Sequence, residues 1–447
     1  MQTLRSSSLA LRLRGQLPPS PPYPGSVQTL ASYCLPFAYL EHCRRRVGDR
    51  FTLYPIDMHP FVFLADPQDI REVLTADDAQ LHAGKGASVI APLIGERSFM
   101  LLEEEEHIRG RREITPAFHQ RMVAEHSRTL AEVVEREIAS WPLNEVIALH
   151  PRIRSLTLRV ILRIIFGDED EILDRLHAQL MSMLSITESP MLQQPKLRSL
   201  PGGRRIWRRF LARRAAADAL IYRLLERRRS EPADERTDLL DMLLAARLPD
   251  GSPLPDRKIR DDLMSMILAG HETTTGELSW AFQLLAHNPQ AQSRLCAEID
   301  AGQDDRYLSA TVQETMRRKP VFVFAIPRRV AQTIEIGGWT YPPAVNLICC
   351  TYLMHHNPEL YPDPYRFSPE RFIEQPPGPR TWLPWGGGRK HCLGRHFALM
   401  EVKAILSEAL SKRTVLPAAR RIERPQWRSA ILVPHAGGRV VLRERRN

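Results

Sequence analysis

Apolar positions recur every three to four residues through the middle of this chain and gather into short runs toward its ends. From His107 to about Arg318 the spacing is helical throughout, punctuated by proline and glycine, and predicts no strand. The longest stretch, "DDLMSMILAGHETTTGELSWAFQLLAHNP", reads as one apolar helix. Asp261 or Asp262 is placed to cap its start, and Pro289 marks its end. Upstream, "PFAYLEHCRRRVG" predicts a short helix, and Phe51–Tyr54 and Phe61–Leu64 predict two strands. "PQDIREVLTADD" predicts a helix with proline at its first position. From Pro320 onward short strands and turns return. "TIEIGGW" turns on a glycine pair, "NLICC" is strand-like, and "AILVPHAGGRVVLRE" reads as a hairpin. The expected fold class is therefore mainly α with a smaller β part. The helix-rich unit spans 107–318, and the sheet-bearing part is built from both chain ends. Residues 1–30 are expected to be an N-terminal tail with a proline hinge, and 31–447 a single domain.

Composition narrows the class only a little. The 447 residues are 43% apolar and 26% charged, ordinary values for a globular protein. No run approaches about 18 consecutive apolar residues, so no integral membrane anchor is expected and the protein is placed in the cytoplasm. The start, "MQTLRSSSLALRLRG", mimics an organelle transit peptide in composition, but a plain tail before "PPSPPYPG" is the preferred reading. Six cysteines without a CxxC fit a reducing compartment, and Cys349 and Cys350 read as buried small hydrophobes. The net charge of +10 invites an anionic partner. No nucleic-acid signature accompanies it, so no nucleic-acid partner is expected. Arginine-rich "GRRIWRRFLARRA" (Gly203–Ala215) reads first as a solvated helix face, then as a surface for an acidic protein.

The chemistry concentrates in "LPWGGGRKHCLGRHFALMEV", where three glycines precede Cys392 and a helix follows. A thiol at a helix start is favoured as thiolate by the local dipole and free amides. Glycines let backbone approach something large and flat. Such a thiolate suits a nucleophile with His391 or His396 as base, a zinc site, or haem iron. A zinc site lacks ligands at the right spacing, since Cys349 and Cys350 do not form a knuckle. A buried structural cysteine is the usual reading of a lone cysteine. The flanking glycines and basic residues weigh against it.

"WGGGRKHCLG" (Trp385–Gly394) resembles the haem-binding loop of the cytochrome P-450 superfamily, the haem-thiolate monooxygenases. The resemblance covers nearly the whole chain and looks most like soluble bacterial members. It implies a P-450-like catalytic domain whose heme b iron is ligated by Cys392, with Trp385 and Gly386 in the loop. Trp385 replaces a commoner phenylalanine. "AGHETT" is similar to the family's oxygen-activation helix. That likeness implies that Ala269 and Gly270 leave room for dioxygen, Thr273 offers it a hydrogen bond and Glu272 feeds protons. Taken alone, the motif is better explained as helix packing with back-bonded threonines. His107, Arg111, Arg329 and Lys390 become candidates for the haem propionates, although lysine at 390 departs from the usual residue. Glu314, Arg317 ("ETMR") and Arg371 ("PERF") become a buried structural triad.

The implied reaction inserts one atom of O2 into an apolar substrate of terpenoid, steroid, fatty-acyl or polyketide type. Electrons would come from NAD(P)H through a separate acidic ferredoxin or flavodoxin with its reductase, docking at Arg109, Arg112 and Arg395. Val89–Phe99, Leu180–Leu192, the helix face near Ile267, Val321–Ala325 and the region of Ile431 are expected to line the pocket. Alternatives are a haem-thiolate isomerase, dehydratase or peroxygenase, and a non-catalytic haem-binding sensor.

Overall fold

The computed structural model describes residues 13, 15–56, 58–118, 127–167, 170–189, 192, 195–230 and 238–445. Helix Asp256–His287 runs through the centre, and nearly every residue from Ile259 to Ala286 is buried. Helices Leu149–Phe166, Pro201–Ser230, Arg306–Arg318 and Arg395–Lys412 pack around it. Such a helix must be apolar all round or satisfy its polar groups. Here both hold. Asp261 accepts from the Arg97 amide at 3.0 Å, and Asp262 accepts from the Phe99 amide at 2.8 Å and from Lys258 at 2.6 Å. The capping role expected of these aspartates is thereby corrected. The helix starts earlier, at Asp256 after Pro255, and both carboxylates hold the 95–99 loop. Gly95 lies at φ +97°, where a Cβ would stand 2.0 Å from the Asp261 carboxyl carbon.

The β part joins the two chain ends, as the sequence pattern implied. One five-stranded sheet has the order Arg50–Leu53, Phe61–Leu64, Asn346–Cys349, Arg328–Val330, Leu81–His82. The Phe61–Leu64 and Asn346–Cys349 strands pair in parallel, and the other neighbours are antiparallel. Two expectations fail. Val146–Ala148 is a strand inside the region read as wholly helical, and pairs with Arg439–Glu444. The terminal hairpin does not form either. Ile431–Pro434 pairs back with Pro425–Arg428, while Arg439–Glu444 joins Arg413–Pro417 in another sheet. The "GG" turn separates two sheets because each strand finds a better edge elsewhere. At the N-terminus, the boundary expected at residue 30 falls inside helix Gly25–Cys34, and Leu13 and Leu17 are buried. No helix among the described residues is long and apolar enough to cross a membrane.

Candidate active site

The cysteine loop folds through its glycines. Gly386 and Gly388 adopt φ +66° and +65°, and a Cβ at Gly388 would lie 2.1 Å from the Leu74 carbonyl oxygen. The loop closes where the Cys392 amide donates to the Trp385 carbonyl at 2.9 Å, and helix Arg395–Lys412 begins immediately after its cap residue Gly394. Cys392 is free and keeps one open face. Crowding by protein elsewhere raises its thiol pKa, and the Gly394 amide, Arg111 and Arg395 only partly offset this. The lowering expected from the helix start is thus outweighed by desolvation. Trp385 Nε1 is buried without a partner among the described residues.

Four basic residues converge beside this loop. His107 is 1% exposed. Burial first, then the charges of Lys390, Arg111, Arg328 and Arg389, push its pKa down to about 3. Lys390 is pushed down to about 8, by burial more than by Arg328 and Arg111, and its Nζ donates to the Leu102 carbonyl at 2.7 Å. Arg111 spans to His391, with Nη1 2.8 Å from its carbonyl oxygen, so it also clamps the residue before the cysteine. Arg329 lies elsewhere. Its Nε donates to Asn346 Oδ1 at 2.7 Å, and its charge acts on His59. The adjacent Arg328 is the residue whose charge reaches His107 and Lys390, because neighbouring strand residues face opposite ways. Mutually repelling, partly buried cations with few acids among them form a site for an anion. Together with the glycine-relieved thiol and the unpartnered His107 Nδ1, this donor set fits a large flat ligand with carboxylates at its edge.

The long helix breaks its burial on one face. Between Ile259 and Ala286 accessibility returns at Leu268, Ala269, Gly270 and Thr273. Thr273 Oγ1 donates to the Ala269 carbonyl at 2.7 Å, and Thr274 and Thr275 are back-bonded in the same way. The Thr273 hydroxyl oxygen keeps lone pairs for another donor. Gly270 serves packing as well: a Cβ there would lie 2.9 Å from Ile161 Cδ1 of helix Leu149–Phe166. Glu272 points away from Thr273 into a buried ionic cluster. Arg154 Nε donates to its Oε1 at 2.9 Å, and His271 Nε2 stands 3.4 Å away. Burial raises the Glu272 pKa, but His271 and Arg154 more than reverse this and hold it below the usual carboxylate range. Arg154 also reaches Glu188 at 2.6 Å, which in turn meets Arg428 at 3.2 Å. Arg154 escaped the sequence reading, although a lone arginine on the buried face of "LHPRIRSLTLRVILRIIF" is a usable signal.

Glu314 and Arg317 are fully buried and doubly bonded at 2.7 and 2.8 Å, and Arg371 approaches Glu314 at 3.2 Å. Arg317 also donates to the His355 and Pro364 carbonyls, both at 2.9 Å. The three side chains pin the segment leading to the cysteine. Of the expected pocket walls, Val321 and Ile431 meet the helix at Gly276, joined by Val433. Ile267 is buried, Val89 is exposed, and residues 190 and 191 lie outside those described.

Residues 16–441 match the profile of the Cytochrome P450 family. The chain is 35% identical over 440 residues to a Mycobacterium tuberculosis protein provisionally named cytochrome P450 135B1, covering 96% of this chain and 92% of that one. A second M. tuberculosis relative, provisionally named cytochrome P450 135A1, is 33% identical, with 97% of each chain covered. In fold it is similar to the retinoic acid-bound cyanobacterial CYP120A1 (TM-score 0.83, 22% identity, 94% and 96% covered). It is equally similar to the heme domain of cytochrome P450DA (TM-score 0.83, 23% identity, 96% and 97% covered). The chain belongs to the cytochrome P450 family and is a haem-thiolate monooxygenase, a class that uses O2 and a redox partner.

Proposed function

We propose that the protein inserts one O2-derived oxygen atom into a hydrophobic small molecule of terpenoid, steroid, fatty-acyl or polyketide type, in the cytoplasm. The observation that carries this substrate class is the aliphatic wall at Gly276, where Val321, Ile431 and Val433 close on the long helix one turn beyond Thr273. Cys392 would serve as the iron ligand, and bound metal would favour as thiolate a thiol whose pKa burial otherwise raises. His107, Arg111, Lys390 and Arg328 hold the haem carboxylates. Arg328 takes the place expected of Arg329, in keeping with its charge acting on His107. When bound, haem supplies the iron at which O2 is activated, with the thiolate favouring O–O cleavage. Glu272 feeds protons only on leaving its ion pair with Arg154. Thr273 passes a proton on through its hydroxyl, and Ala269 keeps that face clear.

Electrons come from NAD(P)H through a reductase and an acidic ferredoxin or flavodoxin. Arg112 and Arg395 are exposed and have no ion-pair partner among the described residues, which suits such a docking partner. The test is turnover of a terpenoid, steroid and fatty-acid panel under isotopic O2, with ferredoxin and reductase. Labelled oxygen in a product supports the reading. Conversion driven by peroxide alone, or product without label, contradicts it.

A further inference from the structure

Helix Gly25–Cys34 is built inside out. Its one buried residue is Gln28, at 1% exposure. Gln28 Nε2 donates to the Tyr23 carbonyl at 2.9 Å and to Ser20 Oγ at 3.2 Å, and its Oε1 accepts from the Tyr54 amide at 2.8 Å. It thereby ties the proline segment to the residue that follows strand Arg50–Leu53. The apolar residues face out instead: Val27, Leu30 and Leu35 are 45%, 65% and 55% exposed. The Ile56 amide donates to Thr29 Oγ1 at 3.1 Å, which brings the exposed Ile56 and Met58 alongside. Single exposed aliphatics are ordinary, but a group of five drawn from two segments marks a contact surface.

Charge supplies the second observation. Arg204, Arg205, Arg208 and Arg209 stand exposed on helix Pro201–Ser230, and none meets a carboxylate at ion-pair distance among the described residues. Exposed Leu200 and Leu211 flank them. Strand Pro425–Arg428 links the two surfaces. Trp427 Nε1 donates to the Ser32 carbonyl of the inverted helix at 3.2 Å. Arg428 reaches Glu188, at the end of the helix that packs on Pro201–Ser230.

We propose that this face docks the protein peripherally on an anionic lipid bilayer. Aliphatic side chains beside unpaired arginines are the composition of an interfacial surface. An acidic protein would answer the arginines but not the aliphatics, and a second copy would bring like charges together. The proposal does not depend on which substrate is oxidised.

The test floats the haem-loaded full chain with vesicles of phosphatidylcholine alone, or of equal parts phosphatidylcholine and phosphatidylglycerol. The protein is expected on the anionic vesicles only and is released by high salt. Leu30→Glu, and separately Arg205→Glu with Arg208→Glu, are each expected to lower the partition about tenfold while leaving the absorption spectrum unchanged. Equal absence from both vesicle types overturns the proposal, as does binding that neither variant weakens. A lipid-free dimer in sedimentation velocity that Leu30→Glu dissolves overturns it in favour of a second copy.

Discussion

Replacing Arg154 by methionine keeps most of the side-chain volume and removes the charge that balances Glu272. In the wild type Arg154 presents Nε to Glu272 at 2.9 Å and Nη1 to Glu188 at 2.6 Å, with Arg154 and Glu272 both nearly inaccessible. Stranding a buried carboxylate costs about 3–5 kcal/mol. The sign with pH follows from the Glu272 shift. Its folded pKa is depressed from 4.5, so its stabilising contribution is present above that value and lost as pH falls through the lower folded one. Without Arg154 only His271 opposes burial, and the pKa rises. The variant's penalty is then largest at neutral pH and shrinks as the carboxyl takes up a proton. Guanidinium unfolding of the haem-loaded protein at pH 7.5 and pH 5 reads both effects. The gap to wild type is expected to narrow at pH 5. Adding Glu272→Gln is expected to recover about 2 kcal/mol at pH 7.5, the coupling typical of contacting groups. A double variant as unstable as the single one, or a gap independent of pH, refutes the reasoning.

Other sites give equally direct expectations. Arg328→Leu should weaken haem retention about tenfold, as loss of one charged contact of about 1.4 kcal/mol does, while Arg329→Leu leaves it nearly unchanged; haem transfer to apomyoglobin measures both. Gly388→Ala should abolish stable haem incorporation, because the new methyl meets the Leu74 carbonyl and φ +65° disfavours alanine; the haem-to-protein absorbance ratio reports it. His150 is fully buried, both ring nitrogens lack partners among the described residues, and burial followed by the Arg428 charge holds its pKa at about 3. Between pH 6.5 and that value the unfolded chain binds a proton that the folded chain refuses, so the histidine costs stability as pH falls. His150→Leu should therefore gain on wild type by about 1.4 kcal/mol per pH unit below pH 6.5, and parallel unfolding curves from pH 7.5 to 4.5 would contradict this.

Local patterns were readable in the sequence, and long-range partnerships were not. The glycines around Cys392 and the apolar run through "AGHETT" show in a few consecutive residues, and the elements fall where those residues put them. Asp261 and Asp262 resembled caps because their true partners, the Arg97 and Phe99 amides, lie more than 160 residues away in sequence. Val146–Ala148 has only three residues and meets its partner strand near the C-terminus, so no local signal announces it. The choice between Arg328 and Arg329 depends on which way a three-residue strand faces, which the five-stranded sheet decides. Arg154 and Glu272 are 118 residues apart and become a pair only when two helices pack closely across Gly270.

Ligation of the haem iron by Cys392 has a direct spectroscopic signature. The absorption spectrum of the reduced, carbon monoxide-bound protein, compared with that of Cys392→Ser, tests it most directly. A strongly red-shifted Soret band is expected in the wild type and is lost in the serine variant. A Soret band typical of histidine ligation, or one that Cys392→Ser leaves in place, would contradict it.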